Sequence, residues 1–552
     1  MSEKKKFHIV LIKPSHYDSD GYVIRWFRSA IPSNSLALLY GLSLDLIERG
    51  GLGADVEIIL SAYDDTNKRV PIGQIIKDIK RDGGRAFIGM VGVQTNQFTR
   101  AVDLSMDFKK AGLEVCIGGF HVSGCIAMLD ELPPDIQAAS DSGISLFAGE
   151  AEGRVDELMK DAFNGKLKPV YNYLNDLPDI TNTPVPFLPI ETLRRSAGSY
   201  TSFDAGRGCP FKCSFCSIIN VQGQKSRQRS VKSIEKIIRT NMAQGIQRYF
   251  VTDDNFARNS NWEEILDCII AIRENDGVNL RLILQVDTKS HLIPGFIAKA
   301  KRAGVGRVFI GIESINSENL KAANKGQNDF DEYRRLLQAW RSEGIITFGG
   351  YITGFPADTY DSVITDVKTL QRELPVDLLE FFFLTPLPGS VDHKTLYEKG
   401  EWMEPDMNKY NTQYVTTQHP LMSKKEWERA YDDAWDTYYS DEHIETVLKR
   451  ALVNRIGLKK LVGAILWFYA SVKYEKLHPL ESGIFRRKFR TERRPGLPLV
   501  NPLIFYPKRL FEVIRDNGKL LFMYLKYNRI AKRIKADPKA KNYMDKTIDP
   551  VS

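Results

Sequence analysis

Two stretches of this chain alternate apolar runs with amphipathic ones, and that alternation restricts the fold more than any other feature. In residues 1–165 the strand-like runs are 7–13, 54–62, 86–93, 114–118 and 144–148, separated by helix-like segments 34–49, 72–82, 99–111 and 154–164. The runs are apolar almost throughout, as strands covered on both faces must be. This pattern predicts a doubly wound, Rossmann-like parallel sheet. A second series fills residues 201–400, with strands 202–206, 247–252, 280–286, 307–312, 346–352 and 378–385 and helices 231–244, 261–273, 294–303, 328–343 and 359–373. Six such units predict an open, partial (β/α)6 barrel, with functional groups at the C-terminal ends of its strands. Between the two series, Pro169, Pro178, Pro184, Pro186 and Pro189 crowd residues 166–200. That density argues against helix and central strand and predicts a semi-rigid linker.

The second series opens on Arg207-Gly208-Cys209-Pro210-Phe211-Lys212-Cys213-Ser214-Phe215-Cys216. Three thiolates spaced C-x3-C-x2-C can wrap one iron–sulfur cubane and leave one iron open to a ligand. The rival is zinc, which wants four ligands in paired groups. The nearest other cysteines, Cys125 and Cys268, are far off and unpaired, and no His lies between Cys125 and His291.

The loop, including the aromatic Phe215, is similar to the cluster motif of the radical S-adenosylmethionine (SAM) superfamily. The resemblance implies a [4Fe-4S] cluster on Cys209, Cys213 and Cys216 whose open iron chelates SAM and cleaves it to a 5′-deoxyadenosyl radical. It continues along the barrel. Strand two ends in Thr252-Asp253-Asp254-Asn255, strand three gives Gln285-Val286-Asp287-Thr288, strand four gives Gly311-Ile312-Glu313-Ser314, and strand five gives Gly350-Tyr351-Ile352-Thr353-Gly354-Phe355-Pro356. The family pattern makes Phe215, Asp253, Asp254, Asn255, Gln285, Glu313 and Gly354 candidate SAM residues, with Glu313 resembling the ribose ligand and Gly354 lying near the adenine. Strand six ends in Thr385-Pro386-Leu387-Pro388-Gly389-Ser390, which resembles the closing loop of many cobalamin-type members.

The strand ends of the first series carry their own marks. Ser33 and Asn34 open a helix and can cap it. Val91-Gly92-Val93-Gln94-Thr95, Gly118-Gly119-Phe120-His121 and Gly149-Glu150-Ala151-Glu152-Gly153 end successive strands, where ligands of such sheets bind. These segments also suit turns that any such sheet needs. They resemble the cobalamin-binding domain that precedes the barrel in one radical SAM subgroup. The resemblance implies Ser33, Asn34, Gly92, Thr95, Gly118, Gly119, His121, Gly149 and Glu150 as cobalamin contacts. The subgroup's D-x-H-x-x-G motif is absent: Asp18 and Asp20 lie in the right loop without a following His, so cobalamin is expected without a histidine lower ligand.

The remainder divides into a helical, aromatic-rich extension over 401–480, expected to pack as a lid over the barrel mouth, and a basic, apolar segment over 481–552. The chain carries +8 overall, yet residues 484–535 hold 15 Lys/Arg against 3 Asp/Glu. The basic character therefore belongs to this segment. Its aliphatic and aromatic residues interleave with Lys and Arg, which suits an anionic bilayer surface. Nucleic acid is the less favoured partner, because aliphatic residues outnumber stacking platforms. Residues 536–552 read as a disordered tail. No apolar run reaches the length of a membrane span, and six cysteines in 552 residues are not a disulfide scaffold. The expectation is a cytoplasmic enzyme, peripheral to the inner face of the membrane, that C-methylates a lipid or other hydrophobic substrate and is fed electrons by a reductase, flavodoxin or ferredoxin. The alternatives are a radical SAM enzyme with a vestigial first domain, doing cyclisation or C–C bond formation, and a nucleic-acid-binding iron–sulfur protein without radical chemistry.

Overall fold

The computed structural model describes residues 4–326 and 328–549. The first sheet has six parallel strands in the order Val56–Asp64, Lys5–Lys13, Ala86–Met90, Glu114–Gly118, Ser145–Ala148, Val170–Asn172. The order reverses between Lys5–Lys13 and Ala86–Met90, the position where doubly wound sheets open a crevice. Side chains of the first strand alternate between two cores. Phe7, Ile9 and Leu11 face the helices Asn34–Glu48 and Val155–Phe163, whose core continues into the second domain. Val10 and Ile12 face the helices Ile72–Arg81 and Thr95–Lys110. Burial on both faces is why the runs contain so few polar residues.

The second sheet also has six parallel strands, and its order follows the chain: Thr201–Phe203, Arg248–Val251, Arg281–Val286, Val305–Glu313, Ile346–Thr353, Leu378–Phe383. This is the partial barrel. Along Val305–Glu313, Val308, Ile310 and Ile312 are buried among the surrounding helices, while Phe309, Gly311 and Glu313 are half-buried on the inner side.

The connector departs from expectation. Val170–Asn172 adds the edge strand of the first sheet, and Ile190–Leu193 forms one helical turn directly after Pro189. Proline tolerates both roles, since an edge strand and a helix start need no N–H at that position. Several elements went unread in the sequence, among them the helices Phe120–Met128 and Pro134–Asp141 and the strand Arg25–Ser29.

The extension is not a lid over the mouth. Lys424–Tyr438 lies against the helix Tyr360–Glu373 and the last barrel strand. Its Trp427, Tyr431 and Trp435 rings pack on Phe383, Phe383 and Phe381 at 5.6, 4.3 and 5.3 Å. The aromatic spacing therefore marks a buried face that covers the flank of the sheet. Leu458–Ala470 follows, with Phe468 6.1 Å from Phe348 of the barrel.

The basic segment returns to the first domain. Gly483–Arg487 pairs antiparallel with Arg25–Ser29 as a two-stranded ribbon. Pro502–Ala536 is a 35-residue helix with Asn501 as its N-cap. It is tied near its start by Phe505 against Tyr22 and later by Met523, Tyr527, Ala531 and Ile534, at spacings of one helical turn. The expected disordered tail is instead ordered through residue 549. Asp545 binds Arg450 at 2.7 Å, Lys546 binds Glu373 at 2.7 Å, and Thr547 is fully buried. Residues 550–552 lie outside the described residues. Among the described residues no helix is long and apolar enough to cross a membrane.

Candidate active site

The cysteine loop leaves the first barrel strand through Gly206–Arg207, which pairs with Arg227–Gln228. Gly208 has φ +88, and a Cβ there would lie 2.7 Å from the Lys225 carbonyl oxygen, so only glycine lets the loop turn at this point. The loop is then pinned by its backbone. Cys209 N–H donates to Gly223 O, Ser214 N–H to Ala323 O, and Asp392 N–H to Ser214 O.

Cys209, Cys213 and Cys216 share one electrostatic neighbourhood. Burial pushes the Cys216 thiol up to about 12, and Asp254, Cys213 and Cys209 add to that rise. Burial also raises Cys209, with Asp254 and Cys213 adding and Lys325 opposing. Among the described residues no three His, Cys, Asp or Glu side chains converge on a single metal-ion position. Thiolates that hold a cubane each bind a different iron and need not converge. Crowded, buried thiols beside a lysine fit a cofactor that takes them up as thiolates and relieves that crowding.

Above the loop, Phe215 packs edge-on to Phe355 at 6.4 Å, with Lys325 Nζ 5.8 Å from its ring. Glu313 sits at a register shift with φ +64 and forms an ion pair with Lys325. Burial works to lower the Lys325 pKa, but Glu313, Cys213 and Cys216 carry it above the ordinary lysine value. Gly354 has φ +97, and a Cβ on it would fall 1.9 Å from Trp427. Asp358 holds that turn, accepting from the N–H groups of Gly354 and Phe355 at 2.8 and 3.0 Å.

The acidic cluster after strand two splits in function. Asp254 is exposed and is felt by Cys209 and Cys216. Asp253 is buried, and its carboxylate accepts the Ala205 N–H at 2.6 Å. Burial raises it to about 7. Asn255 donates to Asp287 at 2.9 Å, and Gln285 donates to the Asp253 carbonyl at 3.3 Å. Phe215, Asp254, Glu313 and Gly354 thus gather around the cysteines. Asp253, Asn255 and Gln285 knit neighbouring strand ends together.

A cavity of about 920 Å³, open mouth included, lies at the C-terminal ends of the first sheet and is closed on one side by Val221 and Gln222 of the second domain. Asn34, Gly92, Gly118, Gly119, Gly149 and Glu150 line it. Its glycines are there for close approach. A Cβ on Gly119 would lie 2.1 Å from Val93 N, and one on Gly92 would lie 2.6 Å from Ser35. Apolar walls from Leu38, Met90 and Phe147 complete a cradle that suits a large, flat, partly apolar group. Three expected contacts sit elsewhere. Ser33 caps the helix by accepting from Leu36 N–H. Thr95 and His121 lie behind the wall, where His121 pairs with Asp135 at 3.0 Å and with Thr95 at 3.3 Å. His121 is committed to that buried pair and does not face the cavity.

One residue joins cavity and loop. Arg207, two positions before Cys209, binds Glu150, Glu152 at 2.6 Å and Asp204 at 3.0 Å while almost fully buried. Arg227 also binds Glu150, and Arg229 binds Asp204 at 3.4 Å. The closing loop of the barrel touches the first domain at two glycines. A Cβ on Gly124 would lie 2.4 Å from Pro388 O, and one on Gly389 would lie 2.9 Å from Gly124 Cα.

The family model described as the radical SAM superfamily matches residues 205–370, from the start of the cysteine loop into the helix Tyr360–Glu373 that follows the fifth barrel strand. Residues 205–370 form a radical SAM domain. It is 25% identical over 411 residues to the bacteriochlorophyllide d C-8(2)-methyltransferase of Chlorobaculum tepidum, covering 70% of this chain and 84% of that protein. It is 24% identical over 335 residues to the hopanoid C-2 methylase of Rhodopseudomonas palustris, covering 60% of each. The radical SAM methyltransferase TsrM from Kitasatospora setae, solved with cobalamin and a [4Fe-4S] cluster, has the same fold, with a TM-score of 0.57 at 17% identity over 79% of this chain and 89% of that one.

Sequence reasoning missed three residues of this radical SAM site. Lys325 follows the fourth strand by a dozen residues and reaches the cysteines only in three dimensions. Trp427 comes from the extension. Arg207 stood in the motif itself, and a charged side chain entering a buried strand end was the signal that could have singled it out.

Proposed function

We propose that this radical SAM enzyme is a cobalamin-dependent C-methyltransferase acting on an unactivated carbon of a lipid or other hydrophobic substrate. The observation that carries the reading is the joint at Arg207, where the glycine-lined cavity and the cysteine loop are built onto one guanidinium. Methyl transfer to hydrophobic polycycles, named for the Chlorobaculum and Rhodopseudomonas relatives, supports it.

When bound, the cluster and SAM supply a carbon-centred radical, and cobalamin carries the methyl group. The chain's own residues position and shield. Cys209, Cys213 and Cys216 would hold the cluster, and Lys325 balances the charge of those thiolates and of Glu313. Asp254, Glu313 and Gly354 are the proposed SAM contacts, with Asp253, Asn255 and Gln285 fixing the strand ends beneath them. Asn34, Gly92, Gly118, Gly119, Gly149 and Glu150 would hold cobalamin. Since His121 is turned to Asp135, no histidine ligand is proposed from it. Electrons would come from a reductase, flavodoxin or ferredoxin. Peripheral association with an anionic bilayer through residues 484–535 is part of the same proposal.

The deciding experiment is anaerobic reconstitution with SAM carrying a labelled methyl group and a lipid extract of the parent cells. Corrinoid binding, 5′-deoxyadenosine release and label in the lipid fraction are expected. SAM cleavage without corrinoid binding would instead favour a first domain that serves only as a scaffold.

A further inference from the structure

The long helix Pro502–Ala536 crosses the molecule as a beam. It is tied at Phe505 and again from Met523 onward, and a groove of about 1450 Å³, open sides included, runs beneath it. The floor is the helix Leu458–Ala470, which presents Gly463, Trp467 and Ala470 at spacings of about one turn. Nothing lies within 4 Å of where a Gly463 Cβ would be. Glycine in a helix interior is destabilising relative to alanine, and here it keeps space open on the floor. The end wall is Trp26 and Phe485 of the ribbon, and the roof is Val513, Leu520 and Leu521.

Two wall residues do not stop at the groove. Phe485 is 64% exposed and Leu521 57% exposed, so the apolar wall runs outward on this side, while Glu475, Arg486, Arg509, Asp516 and Asn517 line the polar side of the groove. It continues into Leu510, Phe511, Ile514 and Phe522 of the same helix, and Phe27 of the ribbon is also exposed. An exposed apolar patch of this extent marks a binding surface. Cations are set among these residues. The Arg487 and Arg28 guanidinium groups lie over Phe27 at 5.0 and 5.9 Å, and Lys508, Arg515 and Lys526 of the helix each stand beside a carboxylate, Glu512, Asp516 and Asp441. Long cationic side chains around an apolar face complement an anionic headgroup layer.

The groove also reaches toward the barrel. Trp467 Nε1 donates to Pro479 O at 3.0 Å and Trp26 Nε1 to Glu481 O at 2.9 Å. His478, just before Pro479 in the chain, stacks on Phe382 of the last barrel strand at 4.6 Å. Residues 478–481 therefore touch both the groove tryptophans and the last barrel strand.

We infer that this groove binds the apolar chain of a lipid drawn from an anionic bilayer, on which the ribbon and the helix lie. The inference rests on the membrane reading above and names what that surface takes up. The chain would enter from the side where Phe485 and Leu521 face outward, with the headgroup left among Arg487, Lys508 and Arg28.

The test uses the full chain and phosphatidylglycerol vesicles whose acyl chains carry bromine, which quenches tryptophan on contact. Co-sedimentation and quenching are expected. Most of the quenching should disappear in Trp26→Phe/Trp467→Phe and in Gly463→Leu, which fills the floor, while both variants still co-sediment. Co-sedimentation with quenching unchanged in these variants would overturn chain binding and leave surface association standing. Failure to sediment with anionic vesicles, or burial of the face in a dimer seen by sedimentation velocity, would overturn both. SAM cleavage, measured in parallel, is independent of every arm, so the enzymatic reading is judged separately.

Discussion

Arg207 Nη2 lies 2.6 Å from Glu152 Oε1, and that contact links a side chain of the cluster loop to the wall of the first-domain cavity. Removing the guanidinium leaves Glu152 buried without its ion-pair partner, while Glu150 and Asp204 keep only Arg227 and Arg229. Breaking a buried pair in this way costs roughly 3–5 kcal/mol. Arg207→Met is therefore expected to lower the denaturation midpoint sharply. Arg207→Lys keeps the charge but loses the fork that serves three carboxylates at once, so it should fall between. Chemical denaturation of the three proteins, with iron content measured alongside, checks this.

Cys213→Ala should abolish the visible absorption of the reconstituted cluster and the release of 5′-deoxyadenosine. Cys268→Ala, on a helix remote from the loop, should leave both intact. Loss of absorption in both variants alike would point to a folding defect and away from ligation.

Gly354 is held at φ +97 with Trp427 against it. Gly354→Ala meets both the backbone penalty and the ring, for a total on the order of 3 kcal/mol. Its KM for SAM should rise as the turn shifts. Trp427→Ala combined with it should recover only the steric share, and a double-mutant cycle of stability measures the split.

Glu380 is fully buried in the last barrel strand, 3.5 Å from His478, and burial raises its carboxyl from 4.5 to about 8. Between those values the folded protein keeps a proton that the unfolded chain has lost. The contribution to stability is therefore complete below about pH 4.5 and declines as pH rises toward 8. Glu380→Gln removes the ionisation. Its Tm is expected to exceed the parent's more at pH 8 than at pH 5, by an amount on the order of a few kcal/mol in stability. Thermal melts across that range suffice, and an equal offset at both pH values would contradict it.

Phe511→Asp/Phe522→Asp changes two outward side chains of the long helix, so folding should be unaffected and sedimentation with anionic vesicles should be lost. Truncation after residue 480 is the poorer experiment. It would also remove Glu481, which binds Asn96 at 2.6 Å, and the strand Gly483–Arg487.

Much of this architecture was legible because the governing patterns are local. Apart from the short Thr201–Phe203, the barrel strands are mainly apolar, and each ends in a polar or glycine cluster near the predicted position. The cysteine spacing is contained in eight residues. What stayed hidden depends on distant pairing. The ribbon joins Arg25–Ser29 to a strand more than 450 residues later, and neither half has a strong pattern alone. The order in residues 537–549 comes from Arg450, Glu373 and Gln338, none of which the tail composition reveals. His121 ends in a strand-end motif, but its partner Asp135 belongs to a helix the sequence did not announce.

The glycine contact between Gly124 and the Pro388–Gly389 turn has a consequence for anyone recombining parts of this protein. Two backbones that meet with no side chain between them leave no slack for a shim. A chimera that takes the first domain from one homologue and the barrel from another must import both glycines together, or its halves will sit a methyl group too far apart. The unit that can be exchanged is therefore the pair of domains with its hinge-free seam, and not either domain alone.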